Sequence, residues 1–292
     1  MRAFRLVYVG CVLASPACLP LGSTRAADVA PSSIDPASAA RFASAESIAE
    51  ALAEVDRADD PVVRLAVLRR AADAVRVAAS ENFLIAEDFQ AVERRREQDP
   101  ARAIEAWTTA LERAREVLLF RPLREAPLPV GFPEPTPLGE IALRRYPVYR
   151  AARTDMTFLE GRAFWTLFGH IRQQGIEMTA PVEIEYTDDD APDRKKRSMS
   201  FLYRNVDQGT LGRDGKVDVV ESAEQTFVSL GLRGEATKAR TDDAVRRLQQ
   251  WLGTHAERYA PDGPPRVLGY NSPFVPDSKR YFEVQLPVVA RQ

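Results

Sequence analysis

The chain has 292 residues, enough for one large or two small domains. Hydrophobic residues make up 45% and charged residues 28%, the balance of an ordinary soluble globular protein. With 40 basic against 42 acidic residues the net charge is −2, which supplies no basic face of the kind that nucleic acid or an anionic membrane requires.

Residues 1–26 stand apart. Arg2 and Arg5 precede an apolar run from Leu6 to Ala14, and no acidic residue appears before Asp28. A basic start, a short apolar core and small residues beyond have the form of a secretory signal peptide. Thr24-Arg25-Ala26 offers a small-x-small cleavage site. The expectation is therefore an exported protein, periplasmic or secreted, with import into an organelle as the alternative. The run falls short of the roughly 20 apolar residues that a spanning helix needs, so no membrane span is expected in the mature protein. Cys11 and Cys18 both lie in this segment. Cleavage after Ala26 would leave no cysteine, and hence no disulfide, thiolate nucleophile or cysteine metal site.

Residues 35–121 read as a helical module. Asp35-Pro36, Asp60-Pro61 and Asp99-Pro100 each join a good N-cap to a residue suited to the first helical position. Leu65, Leu68, Ala72, Val75 and Ala79 form a stripe at helical spacing, as do Ile104, Trp107, Leu111, Ala114 and Leu118. Phe83, Leu84, Phe89 and Val92 mark another helix between them. An antiparallel hairpin or small bundle is expected. Pro122, Pro127, Pro129, Pro133, Pro135 and Pro137 then forbid both helix and central strand, so 122–138 reads as a stiff, extended linker at a domain boundary.

From 139 to 290 the apolar period changes from 3.6 towards 2. Strands are expected at 141–149, 180–187, 198–204, 216–221, 225–235 and 281–288, with helices at 158–173 and 241–259. Asp242 and Asp243 fall in the expected first turn of the second helix, where the dipole favours acids. Strand, helix and strands thus follow one another twice, which predicts two similar halves in one α+β unit.

Catalytic signatures are missing. The two histidines, His170 and His255, lie in no His-Glu-x-x-His arrangement, and there is no Gly-x-Ser-x-Gly elbow, phosphate loop or dinucleotide-binding turn. No enzyme is expected. Asp188-Asp189-Asp190 precedes the basic cluster Arg194-Lys195-Lys196-Arg197 and reads as a solvated hairpin loop, since the glycine and terminal glutamate of a calcium loop are absent. Phe164, Leu167, Phe168 and Ile171 form the buried stripe of the 158–173 helix, with His170 at its flank. An imidazole there either ligates haem iron or is a half-exposed histidine bonded to water or backbone. His255 falls on the stripe of Val245, Leu248 and Leu252 and is expected in the core.

Several motifs occur in order: Arg144-Arg145-Tyr146-Pro147, Phe168-Gly169-His170-Ile171, Met178-Thr179-Ala180-Pro181-Val182, Gly269-Tyr270-Asn271-Ser272-Pro273-Phe274, then Arg280 and Glu283. With these, residues 139–290 resemble the SOUL haem-binding family. The resemblance implies a distorted antiparallel β-barrel with two helices. It also implies non-catalytic, non-covalent binding of haem or another porphyrin, by apolar contact with the first helix and a nearby loop. The contacts it implies are Phe164, Leu167, Phe168, His170, Ile171 and Met178. In some members a histidine just before the first-strand tyrosine is proposed as the axial ligand. Arg145 stands there in this chain, so Arg145 is a partner for a propionate and His170 the candidate axial ligand. The family's Arg-Asn-Glu sequence is also changed, since Tyr281 and Phe282 separate Arg280 from Glu283. The competing reading makes the helical module a binder of a protein partner and the SOUL-like domain a haem-free scaffold.

Overall fold

The computed structural model describes residues 36–156, 160–188 and 193–291. The expected export segment 1–26 with its two cysteines, the Asp35 cap, Phe158 at the start of the apolar helix, and the Asp189-Asp190 pair lie outside them.

Four helices come first: α1 (Pro36–Arg57), α2 (Pro61–Ala78), α3 (Phe83–Arg95) and α4 (Pro100–Leu119). Asp60 accepts the Val62 N–H at 2.8 Å and Asp99 accepts the Ala101 N–H at 2.9 Å, so two orphan donors are satisfied where the aspartate–proline pairs place them. Asn82 caps α3 through its side-chain oxygen, and its side-chain Nδ2–H donates to the Leu138 carbonyl at 2.8 Å, tying the bundle to the chain that enters the sheet. Leu68, Ala72 and Val75 of α2 meet Ile104, Trp107, Leu111, Ala114 and Leu118 of α4 in one core with Ile48, Ile85 and Phe89.

The proline-rich residues 122–138 hold no helix and no named strand, in keeping with their missing N–H groups, and turn once at 130–131. They lie on the sheet as a strap. The Ala180 N–H donates to the Pro127 carbonyl at 3.0 Å, the Val130 N–H to Arg204 at 2.9 Å, and the Thr136 N–H to the Glu283 carboxylate.

The remaining elements are β1 (Ile141–Tyr146), β2 (Tyr149–Asp155), α5 (Glu160–Gln173), β3 (Val182–Tyr186), β4 (Lys196–Leu202), β5 (Gly212–Asp214), β6 (Val217–Ser222), β7 (Gln225–Arg233), α6 (Lys238–Thr254), β8 (Tyr259–Pro261), β9 (Arg266–Gly269) and β10 (Tyr281–Ala290). The ten strands form one sheet in the order β1-β7-β10-β9-β3-β4-β2-β6-β5, with β8 on β10, and every pairing of named strands is antiparallel. Among the described residues the end strands β1 and β5 do not pair, so the expected barrel is a distorted, open sheet. Outward from the central β3–β9 pair the order is β3-β4-β2-β6 on one side and β9-β10-β7-β1 on the other. The expected repeat is therefore present as β1-β2-α5-β3-β4 and β6-β7-α6-β9-β10. The first strand of each repeat pairs with the second strand of the other: β1 with β7, and β6 with β2.

Some boundaries differ from expectation for local reasons. The strand expected at 141–149 is two, because Pro147 has no N–H to continue the ladder. Strands β5, β8 and β9 hold three, three and four residues, too few for an alternation to show in sequence. Thr237 caps α6 one turn earlier than expected, moving Asp242 and Asp243 out of the first turn. The same helix ends at Thr254, which corrects the expectation for His255. That residue is the C-cap, half-buried, and its ring stacks on Trp251 at 3.8 Å instead of entering the core.

The sheet's two faces follow from the two-residue period of its strands. Val228, Leu230, Val267 and Val284 pack on α6, and Ala152, Met199, Phe201 and Val219 pack on α5. The alternate residues, among them Tyr146, Glu183, Phe227, Arg266, Tyr281 and Glu283, are buried on the opposite face. No helix among the described residues is long and apolar enough to cross a membrane.

Candidate functional site

Helix α5 turns a familiar pattern into an uncommon surface. Ala163, Leu167 and Ile171 recur at helical spacing and are buried against Ala152, Met199, Phe201 and Val219. Phe164 and Phe168, one turn apart, are half-buried at the edge of that stripe. Trp165, next to Phe164, points away from the sheet and is 67% exposed. The Phe164 and Phe168 rings stack at 6.0 Å and 11°, and the Trp165 ring stands perpendicular to both, at 5.6 Å and 5.7 Å. From beneath, Phe201 props Phe164 edge-on at 5.1 Å. The three rings make an aromatic ridge that water still touches. The Arg172 guanidinium lies 6.0 Å from the Phe168 centroid, and Met156 and Met178 pack against the same cluster.

His170 is not at a half-exposed flank: it is buried, with 6% of its surface accessible, because the β5–β6 hairpin covers it. Its Nδ1 is 3.0 Å from Asp214 Oδ2 and its Nε2 is 3.0 Å from the Tyr203 hydroxyl. One neutral tautomer satisfies all three groups: Nδ1–H donates to the carboxylate and Nε2 accepts the phenol proton. The Tyr203 hydroxyl is pushed up to about 12 by burial, with Arg150 opposing and Asp214 adding, so it keeps that proton at neutral pH. Iron ligation through Nε2 therefore requires the Tyr203 bond to break first.

The structure brings Phe164, Leu167, Phe168, His170, Ile171 and Met178 to one region, with Leu167 and Ile171 wholly inside it. Arg145 is not brought there. It lies on β1, which pairs with β7, whereas α5 packs on β2, β4 and β6; it is exposed and donates to Glu224. Among the described residues no group of three His, Cys, Asp or Glu side chains converges as for a metal ion.

Three contributors escaped the sequence reading. Trp165 had a signal, a large aromatic residue directly beside the apolar stripe. Tyr203 and Asp214 gave none, because they meet His170 only through folding across 33 and 44 residues.

The recognised motifs have a clear structural task. The Thr179 hydroxyl donates to the Leu202 carbonyl at 2.5 Å, while the Ala180 N–H holds the strap at Pro127. The Asn271 side chain donates to the Leu123 carbonyl at 2.8 Å and accepts the Tyr281 N–H at 2.9 Å. Both the N–H and the hydroxyl of Ser272 bind Glu125, and Tyr281 and Glu283 bind Thr136. Arg280 closes the 273–275 loop by donating to the carbonyls of Pro273 and Val275. Ala180, Asn271, Ser272, Tyr281 and Glu283 thus clip the strap to the sheet, while Thr179 and Arg280 hold the turns beside it. Two hollows of about 400 Å³ each lie elsewhere, in the helical part, one with Arg69, Arg76, Arg96 and Trp107 on its walls and the other with Arg95, Arg102 and Arg113.

The model of the SOUL heme-binding protein family matches residues 136–287, just over half of the chain. No curated protein matches. Among solved structures, the C-terminal domain of EcmrR aligns at 19% identity over 51% of this chain and 97% of its own, with a TM-score of 0.40. A hydrolase from Listeria innocua aligns at 15% identity over 53% and 94%, with a TM-score of 0.39. A putative transcription regulation protein from Staphylococcus aureus aligns at 16% over 51% and 97%, with a TM-score of 0.34. Likeness at that level carries no argument, whereas the family match covers the repeated sheet, both of its helices and the clipping motifs: the chain belongs to the SOUL heme-binding protein family.

Proposed function

We propose that this protein binds haem or a related tetrapyrrole on the α5 ridge, reversibly and without catalysis, as a buffer or carrier. The exposed ridge of Phe164, Trp165 and Phe168 carries this reading. A porphyrin is flat, largely apolar and edged by two carboxylates. Phe164 and Phe168 are already packed against the core, so little of their side-chain entropy is lost when a ring system docks, and Trp165 adds an exposed ring beside them. Arg172 stands at the C-terminal end of the ridge, where a propionate gains a charge-assisted hydrogen bond. His170 keeps its bonds to Tyr203 and Asp214 and supports the ridge from below, so the ring is held by apolar contact and not by an iron–imidazole bond. The composition of residues 1–26 supports export, and N-terminal sequencing of the mature protein tests that placement.

The test is a titration of purified protein with haem. A Soret shift that saturates at one equivalent and weakens in Trp165→Ala and Phe168→Ala supports the reading. The absence of any saturable shift with a folded protein removes it.

A further inference from the structure

Helix α5 carries one residue that folding does not explain. Gly169 lies in the interior of the 14-residue helix Glu160–Gln173. Glycine there weakens a helix relative to alanine, because its backbone gives up more freedom on folding.

Three structural needs can call for such a glycine, and Gly169 meets none of them. Its φ is not positive, unlike that of Gly175 at +64°. No neighbouring element crowds it: apart from its chain neighbours and the helix's own backbone, no atom lies within 4 Å of a Cβ built there. It does not stop the helix either, since the chain turns out at Gly175, where the Ile176 N–H returns to the Ile171 carbonyl at 2.8 Å. The other helical glycines among the described residues are Gly161 and Gly253. Each stands one residue inside a helix end, away from the interior where the penalty applies.

The place of Gly169 on the helix is specific. Trp165 comes one turn before it and Arg172 one turn after, and all three share the outward face, whereas Ala163, Leu167, His170 and Ile171 take the inward one. From Trp165 to Arg172 is about 10 Å along the axis. The Trp165 ring lies against Phe164 and Phe168, and the Arg172 guanidinium lies 6.0 Å from the Phe168 centroid. Neither side chain comes within 4 Å of the missing Cβ. Between an exposed tryptophan and an exposed arginine, then, the helix presents bare backbone.

We propose that Gly169 is the seat of the tetrapyrrole on α5: the ring rests against the bare backbone of this turn, between Trp165 and Arg172. The inference rests on the binding proposed above and adds the residue that positions the ring. Dispersion falls steeply with distance, and a gap of about 0.5–1 Å forfeits a quarter to a half of a contact's attraction. One methyl group at this turn therefore holds the ring off the helix and off Trp165 together. Gly169 weakens the free helix and is repaid only when the ring is bound.

The full chain and its Gly169→Ala variant, compared by thermal unfolding without haem and by Soret titration with haem, test this. The variant should unfold about 1–3 °C higher than the parent and bind haem about tenfold more weakly. A merely structural glycine cannot move the two readouts in opposite directions. Haem should also raise the Tm of the parent more than that of the variant. Gly253→Ala, the same change on α6, should leave the haem titration unchanged. Haem affinity equal to the parent's in Gly169→Ala overturns the proposal, and a weakening by Trp165→Ala in the same series would then leave the ridge itself standing. A lower Tm in Gly169→Ala also overturns it, because the glycine would then serve the fold. A folded parent with no saturable Soret shift removes the ridge and the seat together.

Discussion

The Nε2 of His170 lies 3.0 Å from the Tyr203 hydroxyl, so the imidazole most available by sequence to an iron is already engaged on that nitrogen. With Asp214 on Nδ1, the three side chains fasten the β5–β6 hairpin over α5. His170→Phe leaves a buried phenol without its acceptor and is expected to destabilise the fold by about 1–3 kcal/mol in urea titration. His170→Asn should leave the Soret maximum of the haem complex where it is in the parent; a displaced maximum would show iron–imidazole ligation.

Trp165 and Leu167 separate binding from folding. Trp165 is 67% exposed, so Trp165→Ala should change stability by no more than about 0.5 kcal/mol. The same substitution should weaken haem binding about tenfold, the scale of one lost aromatic contact. Leu167 is fully buried, and Leu167→Ala should cost about 2–5 kcal/mol in stability. Chemical denaturation and haem titration of the two variants, measured side by side, check both halves.

Glu183 and Arg266 form an ion pair at 2.7 Å with side-chain exposures of 5% and 7%. Removing one charge strands the other away from water. Glu183→Gln should destabilise by about 3–5 kcal/mol, more than substitution of either member of the exposed Arg70–Glu54 pair, which should stay within about 1 kcal/mol. Equilibrium unfolding in urea gives both numbers, and equal losses would show that the buried pair is solvated.

At Gly231 the strap lies directly against the sheet. A Cβ built there would stand 2.5 Å from the Thr136 carbonyl oxygen and 2.7 Å from that of Pro137, and it would strike the Tyr281 hydroxyl. Gly231→Ala must therefore push the strap outward, at about 1–3 kcal/mol. Limited proteolysis should then cut within 122–138 faster than in the parent, with the helical part still intact.

Burial also sets an alkaline limit. It pushes the hydroxyls of Tyr186 and Tyr203 up to about 12, and those of Tyr146, Tyr149, Tyr270 and Tyr281 upward as well. An unfolded chain releases these protons near pH 10, before the folded one does. The stabilisation is thus complete below about pH 10 and is lost as pH rises towards 12. Thermal unfolding followed across that interval should show a falling Tm, and phenolate absorbance should lag until the protein unfolds.

Local chemistry made much of this molecule legible in its sequence. Asp60-Pro61 and Asp99-Pro100 announced two helix starts, and the stripe from Ile104 to Leu118 announced the bundle core, because caps and helical periods depend only on residues a few positions apart. The change of period after Gly139, the twofold order of strands and helices, and the ordered motifs were likewise enough to name the family. Folding decided the rest. His170 met Tyr203 across 33 residues, the Thr136 N–H met Glu283 across 147, and a proline segment that reads only as extended became a strap over a polar sheet face. A period states which side chains share a face but not what will cover it. Burial, side-chain partners and exposure were therefore settled only when distant segments packed together.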